Sequence, residues 1–158
     1  MALDKPYLNI PGTIIFDAEQ SRKGYWLNQF CMSLMRAANR TRFKADQRAY
    51  LDGWPMSEAQ KQAVLEMDLN RAMQLGGNIY FLAKIGATHG LSFQQMAGSM
   101  TGMTEEEYRA MMLAGGRCIE GNRLVGEDGD AQACNQPQGA AAAATRQAAA
   151  EKIAAGGI

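Results

Sequence analysis

The chain has 158 residues and a mass of 17.2 kDa, the size of one domain. Lys+Arg and Asp+Glu are both 16, so the formal net charge is zero and no global field is available to hold nucleic acid or an anionic membrane. One histidine, His89, excludes a two-histidine iron site or a multi-histidine catalytic zinc site built from this chain alone.

In chain order, residues 1–16 read as an extended arm. Pro6 and Pro11-Gly12 oppose helix, and Thr13-Ile14-Ile15-Phe16 is a short β-prone run. Such a segment needs something to dock on. A strong helix is expected from Asp17, a plausible N-cap, to about Ala38, because Leu27, Phe30, Cys31, Leu34, Met35 and Ala38 recur at helical spacing. Gly24 weakens its first turns. A second helix is expected over about Arg42–Leu51, ended by Gly53-Trp54-Pro55.

Ser57 and Gln60 have the spacing of a capping box and open a helix to about Leu75, which Gly76-Gly77 stops. Asn78–Ala87, apolar almost all round, reads as a buried helix followed by a loop to Gly90. Ser92–Met100 is a short helix. Thr104 and Glu107 form a second capping box, opening a helix to about Ala114 that Gly115-Gly116 ends. No aromatic residue follows Tyr108, and the alanine runs 140–144 and 148–150 offer little surface to bury. The fold class is therefore mainly α. It is a single small helical domain of about five or six short helices, with an extended arm (1–16), a body (17–120) and a mobile tail (121–158). That body is small for a self-sufficient core, which points to a chain that packs on a partner.

No stretch approaches a membrane span or a signal peptide. Cys31, Cys118 and Cys134 are odd in number and widely spaced, which favours free thiols and a cytoplasmic location. Glu105, Glu106 and Glu107 suit the first turn of a helix better than acid–base chemistry. His89 and Cys31 are a nucleophile–base pair only if the fold unites them; a surface-loop histidine is the default reading, and a contact at the mouth of a shared pocket ranks between the two. Asp128-Gly129-Asp130 lacks the other ligands of a calcium loop, and no phosphate-binding glycine motif is present.

Arg22, Lys23, Arg36, Arg40, Arg42, Lys44 and Arg48 are answered between residues 20 and 48 only by Asp46. They suit a partner surface or the capture of a carboxylate. Residues 92–112 have a superficial helix-turn-helix form, but three glutamates would face the phosphates. A small helical binding or regulatory protein that contacts DNA is thus the alternative reading, and nucleic acid is the less favoured partner.

One resemblance spans about residues 7–123. Its segments are Pro11-Gly12-Thr13, Arg22-Lys23-Gly24-Tyr25, Leu27-Asn28-Gln29-Phe30, Met32-Ser33-Leu34-Met35, Asn39-Arg40, Arg42-Phe43-Lys44-Ala45-Asp46, Tyr50-Leu51-Asp52, Gly76-Gly77-Asn78-Ile79-Tyr80-Phe81-Leu82, Ser92-Phe93-Gln94 and Ala97–Thr104. In them the chain resembles the small α subunits of protocatechuate 4,5-dioxygenases, class III extradiol ring-cleaving enzymes. The resemblance implies an α2β2 heterotetramer in which the catalytic β subunit, not this chain, holds Fe(II) through two histidines and a glutamate. That assembly opens protocatechuate (3,4-dihydroxybenzoate) with O2 to 4-carboxy-2-hydroxymuconate semialdehyde. The α chain caps the β active site and has no catalytic or metal-binding residue of its own. By the same resemblance Phe93 lines the substrate pocket, and Asn39 and Arg40 lie on the substrate side, where Arg40 either attracts the substrate carboxylate or bridges to the β subunit.

Overall fold

A computed structural model describes Lys5 and residues 13–116, and among them every regular element is an α-helix. The helices are α1 (Ala18–Lys23), α2 (Tyr25–Ser33), α3 (Ala37–Ala45), α4 (Gln47–Asp52), α5 (Glu58–Leu65), α6 (Leu69–Gln74), α7 (Ile79–Thr88), α8 (Phe93–Thr101) and α9 (Glu105–Leu113). The mainly helical class is as expected, but the pieces are shorter and more numerous. The expected tail from residue 121, most of the arm, Cys118, Cys134 and Asp128–Asp130 lie outside the described residues. Thr13–Phe16 carries no regular structure, and no helix among the described residues is long and apolar enough to cross a membrane.

Local chemistry explains the subdivision. Asp17 caps α1 by accepting from Gln20 N at 2.9 Å. The expected long first helix breaks at Gly24, and again at Leu34–Arg36. Asp46 ends α3 and caps α4 by accepting from Ala49 N, so the expected second helix is two. Between α5 and α6, Met67 takes a left-handed φ of 53°, and Asp68 caps α6 by accepting from Arg71 N. A non-glycine residue in that region is uncommon. Both capping boxes read from the sequence are present, and Ser92 with Gln95 forms a third.

The core centres on α2 and α7, which pack on each other. Leu27, Phe30, Cys31 and Leu34 from α2 and its end share one buried cluster with Leu82 and Ile85 of α7, and Phe43, Leu51, Val64, Leu69 and Met96 belong to it too. Phe30 is the aromatic hub. Its ring lies 5.3 Å from Phe43, 6.1 Å from Tyr50 and 6.2 Å from Trp54, at the tilted or edge-on angles that aromatic pairs favour.

One corner is held by backbone contact. A Cβ on Gly24 would fall 1.8 Å from the carbonyl oxygen of Gly76, so no other residue fits there. The glycine that weakens a helix in isolation is what lets the α1–α2 junction touch the α6–α7 turn. Buried Asn28 bridges that turn: Nδ2 donates to Gly76 O at 3.0 Å and Oδ1 accepts from Asn78 N at 2.9 Å. From the other side Gln60 donates to Leu75 O and Lys23 O, while its oxygen completes the Ser57 capping box. Two buried carboxamides thus satisfy the backbone groups of three converging segments.

Candidate functional site

Three places on this scaffold carry unspent chemistry: the start of α8, the α2–α3 corner, and a cavity beside the Gly24–Gly76 corner.

Phe93 is the first residue of α8 and is 64% exposed. Its position is fixed from below. Gln95 N donates to Ser92 Oγ, Ser92 N donates to Gln95 Oε1, and Ser92 Oγ donates to Glu105 of α9 at 2.8 Å. Met96, one turn on, lies over Gly86 so closely that a Cβ there would meet its sulfur at 2.1 Å. Phe93 is thus an apolar ring held in water by a rigid helix start. Glu105 serves this start, and Glu107 accepts from Thr104 N and Oγ1, bonds that draw its carboxyl below the usual range. Glu107 therefore fills the capping role read from the sequence, while Glu105 braces the start of α8.

At the α2–α3 corner, Asn39 Nδ2 donates to Ser33 O at 2.9 Å. Arg40 Nη1 donates to both Leu34 O and Met35 O, each at 2.9 Å. Both side chains are half-buried and close the open carbonyls at the end of α2. No described hydrogen bond uses Nη2 of Arg40. Asn39 and Arg40 share the α2–α3 corner, and no hydrogen bond or ring contact is described between Phe93 and either of them.

The basic run is largely spent. Arg48 pairs with Asp52 and Glu58, and Lys61 also bonds Asp52. Arg42 stacks over the Tyr50 ring at 5.5 Å, and Lys23 donates to Gln74 O. Cys31 and His89 do not form a dyad. Cys31 is fully buried, and desolvation pushes its thiol up to about 12. His89 follows the end of α7, with its ring edge-on to Phe43 at 5.7 Å. Burial, and then the charge of Lys44, hold its pKa below the usual value, and Nε2 is buried without a partner. It is a half-buried packing residue and not the surface histidine expected.

The cavity was not read from the sequence. It measures about 160 Å³ and is lined by Ile14, Ile15, Phe16, Gln20, Met73 and Tyr80, with the Gly77-Asn78 turn as its floor. Tyr80 is 78% exposed. The signal available was Gly24 within a helical pattern together with Gly76-Gly77, since an unexplained helix glycine marks close backbone approach.

Among the described residues, no three of His, Cys, Asp and Glu converge closely enough to hold a metal ion. The described residues do not fit an iron centre, and no step through iron is assigned to them.

Two comparisons bear on what these surfaces serve. The sequence model of the family described as aromatic-ring-opening dioxygenase LigAB, LigA subunit, matches residues 27–113. A gallate dioxygenase of Pseudomonas putida is 27% identical over 99 residues, which are 63% of this chain and 29% of that relative. The chain therefore spans less than a third of that relative's length.

Proposed function

Because this chain belongs to the LigA-subunit family of aromatic-ring-opening dioxygenases, we propose that it is the α subunit of an extradiol dioxygenase. In this reading it caps an Fe(II) site carried by a catalytic β subunit in a cytoplasmic α2β2 assembly. The substrate is protocatechuate, a catechol carboxylate, opened with O2 at the 4,5 bond to 4-carboxy-2-hydroxymuconate semialdehyde. Gallate, for which that relative is named, has the same carboxylate and adjacent hydroxyls. More than two-thirds of that relative lies outside the matched stretch, which leaves room there for the catalytic machinery.

One observation carries the reading: a rigid, capped helix start presents Phe93 to water at 64% exposure. An apolar ring held this way suits a site that a partner covers. Phe93 lines the mouth of the shared pocket, excludes water and restricts which rings enter. Asn39 and Arg40 shape the substrate side. Their donors hold the end of α2, and Nη2 of Arg40 is left for the substrate carboxylate. The division into a docking arm (1–16), a helical body (17–120) and a tail (121–158) belongs to the same proposal.

The test compares the chain alone, the β subunit alone and the complex. The isolated chain should bind no iron and cleave no ring, and ring cleavage by it overturns the division of labour. In the complex, Phe93→Ala should lower kcat/KM by about tenfold or more, from the worth of one buried phenyl ring. Unchanged efficiency and unchanged substrate preference remove Phe93 from the pocket.

A further inference from the structure

We propose that Glu105 is a positioning residue for ring selectivity: acting through Ser92, it fixes the direction in which Phe93 meets the substrate. The inference rests on the reading above that Phe93 lines the mouth of the shared pocket. It adds a residue of another helix that governs this contact without touching the substrate.

Phe93 depends on its backbone for its position. At 64% exposure the ring has little packing of its own to hold it. Its direction is therefore set by the first turn of α8, and that turn is set at Ser92. Two bonds there are internal to the helix. Gln95 N donates to Ser92 Oγ at 3.0 Å, and Ser92 N donates to Gln95 Oε1 at 2.9 Å. They shape the turn but do not aim it. The third bond leaves the helix: Ser92 Oγ donates to Glu105 Oε1 of α9 at 2.8 Å. A hydroxyl has one proton and a carboxylate only accepts, so the bond has one direction and orients the hydroxyl fully.

Glu105 is itself firmly seated. It is the first residue of α9, whose start is closed by the Thr104–Glu107 capping box. The turn before it is clamped to α8. Met103 N donates to Gly98 O at 2.9 Å, and a Cβ on Gly98 would fall 2.7 Å from Met103 O.

The rest of α8 is held without Glu105. Met96 packs over Gly86 in its middle, and Asn70 Nδ2 donates to Met100 O at 2.8 Å near its far end. Losing the Glu105 bond thus frees the start of α8 and leaves the remainder in place. Such a residue tunes Phe93 and does not hold the domain together.

The experiment uses the complex with the catalytic subunit. It reads the ratio of kcat/KM for protocatechuate to that for gallate, two catechol carboxylates that differ by one ring hydroxyl. Phe93→Ala sets the scale. Glu105→Asp keeps the charge and the first-turn acid but shortens the reach to Ser92, so the ratio should move in the same direction by about threefold or more. Glu105→Gln loses the charge but keeps an acceptor oxygen at full reach, so the ratio should stay within about twofold of wild type. The double variant Glu105→Asp with Phe93→Ala should match Phe93→Ala alone, the signature of a residue that acts through Phe93. In the full chain, the fluorine resonance of 4-fluorophenylalanine at position 93 should shift with Glu105→Asp and hold with Glu105→Gln. A ratio or a resonance unmoved by Glu105→Asp overturns the proposal. So does a Glu105→Gln effect as large as that of Glu105→Asp, since charge and not the bond would then matter. Additive effects in the double variant overturn it too, because Glu105 would then act elsewhere. If Phe93→Ala itself leaves efficiency and preference unchanged, the pocket reading falls and this inference with it. If Phe93→Ala moves the ratio and Glu105→Asp does not, this inference alone falls.

Discussion

Asn28 offers the sharpest test of how the corner beneath the cavity is built. Asn28→Leu keeps the side chain's size and removes both of its hydrogen bonds. The carbonyl of Gly76, a buried residue, and the N–H of Asn78 then lose their partners. Each stranded backbone group costs about 1–3 kcal/mol, so a loss of about 2–4 kcal/mol is expected, allowing for some water access at half-buried Asn78. For a helical body of this size each kcal/mol moves the melting temperature by about 4–8 °C, so the drop should be about 10–25 °C. Asn28→Asp refines the test. The carboxylate still accepts from Asn78 N but cannot donate to Gly76 O, and burial beside that carbonyl raises its folded pKa above the unfolded value of about 3.9. The folded variant then holds its proton more tightly than the unfolded chain. Its deficit against wild type is therefore full at pH 7 and shrinks as pH falls toward the unfolded pKa, because the protonated carboxyl regains a donor. Thermal melts by circular dichroism at pH 7 and pH 4.5 measure both effects, and the pH response of the parent cancels in the difference. A drop under about 3 °C for Asn28→Leu, or a pH-independent deficit for Asn28→Asp, would refute the bridging role.

Two further predictions use the same scaffold. His89 has a folded pKa below its unfolded value, with burial as the main cause and Lys44 second, so its contribution to stability is complete above the unfolded value of about 6.5 and is lost as pH falls through the lower folded one. Melting temperatures from pH 7.5 down to 5 should fall more steeply for wild type than for His89→Phe, which keeps a ring against Phe43, and parallel curves would count against this. Arg40→Ala in the complex should raise KM for a catechol bearing a carboxylate and leave KM for unsubstituted catechol unchanged. An equal rise for both would assign Arg40 to holding the end of α2 alone.

What was legible in the sequence was local. Asp17, Ser57, Thr104 and the double glycines at 76–77 and 115–116 are short-range signals, and each begins or ends a helix where expected. The breaks at Gly24, Asp46 and Met67 were missed because hydrophobic spacing runs straight through them. What interrupts each helix is a capping aspartate, a single left-handed residue or a backbone contact from 52 residues away, and none of these alters the apolar period. Asn28 reads as an ordinary polar position and Gln60 as a capping-box partner, and only the fold reveals that both also serve distant carbonyls. The same holds for Arg40, whose charge invites a ligand while its Nη1 is spent on α2.

The two exposed aromatics acquire a common logic from α7. Tyr80 lies in its first turn and Phe93 opens the helix that follows its last, and α7 itself is about 15 Å long. The middle of α7 is committed to the core through Leu82, Ile85 and Gly86, which fixes the register between its two ends. At one end the Asn28 bridge fixes the turn before Tyr80; at the other Met96 over Gly86 fixes α8 and with it Phe93. A partner that engages both ends meets a rigid span. A mutation that loosens either end should then weaken its own contact without moving the other, because the buried centre of α7 holds the register between them.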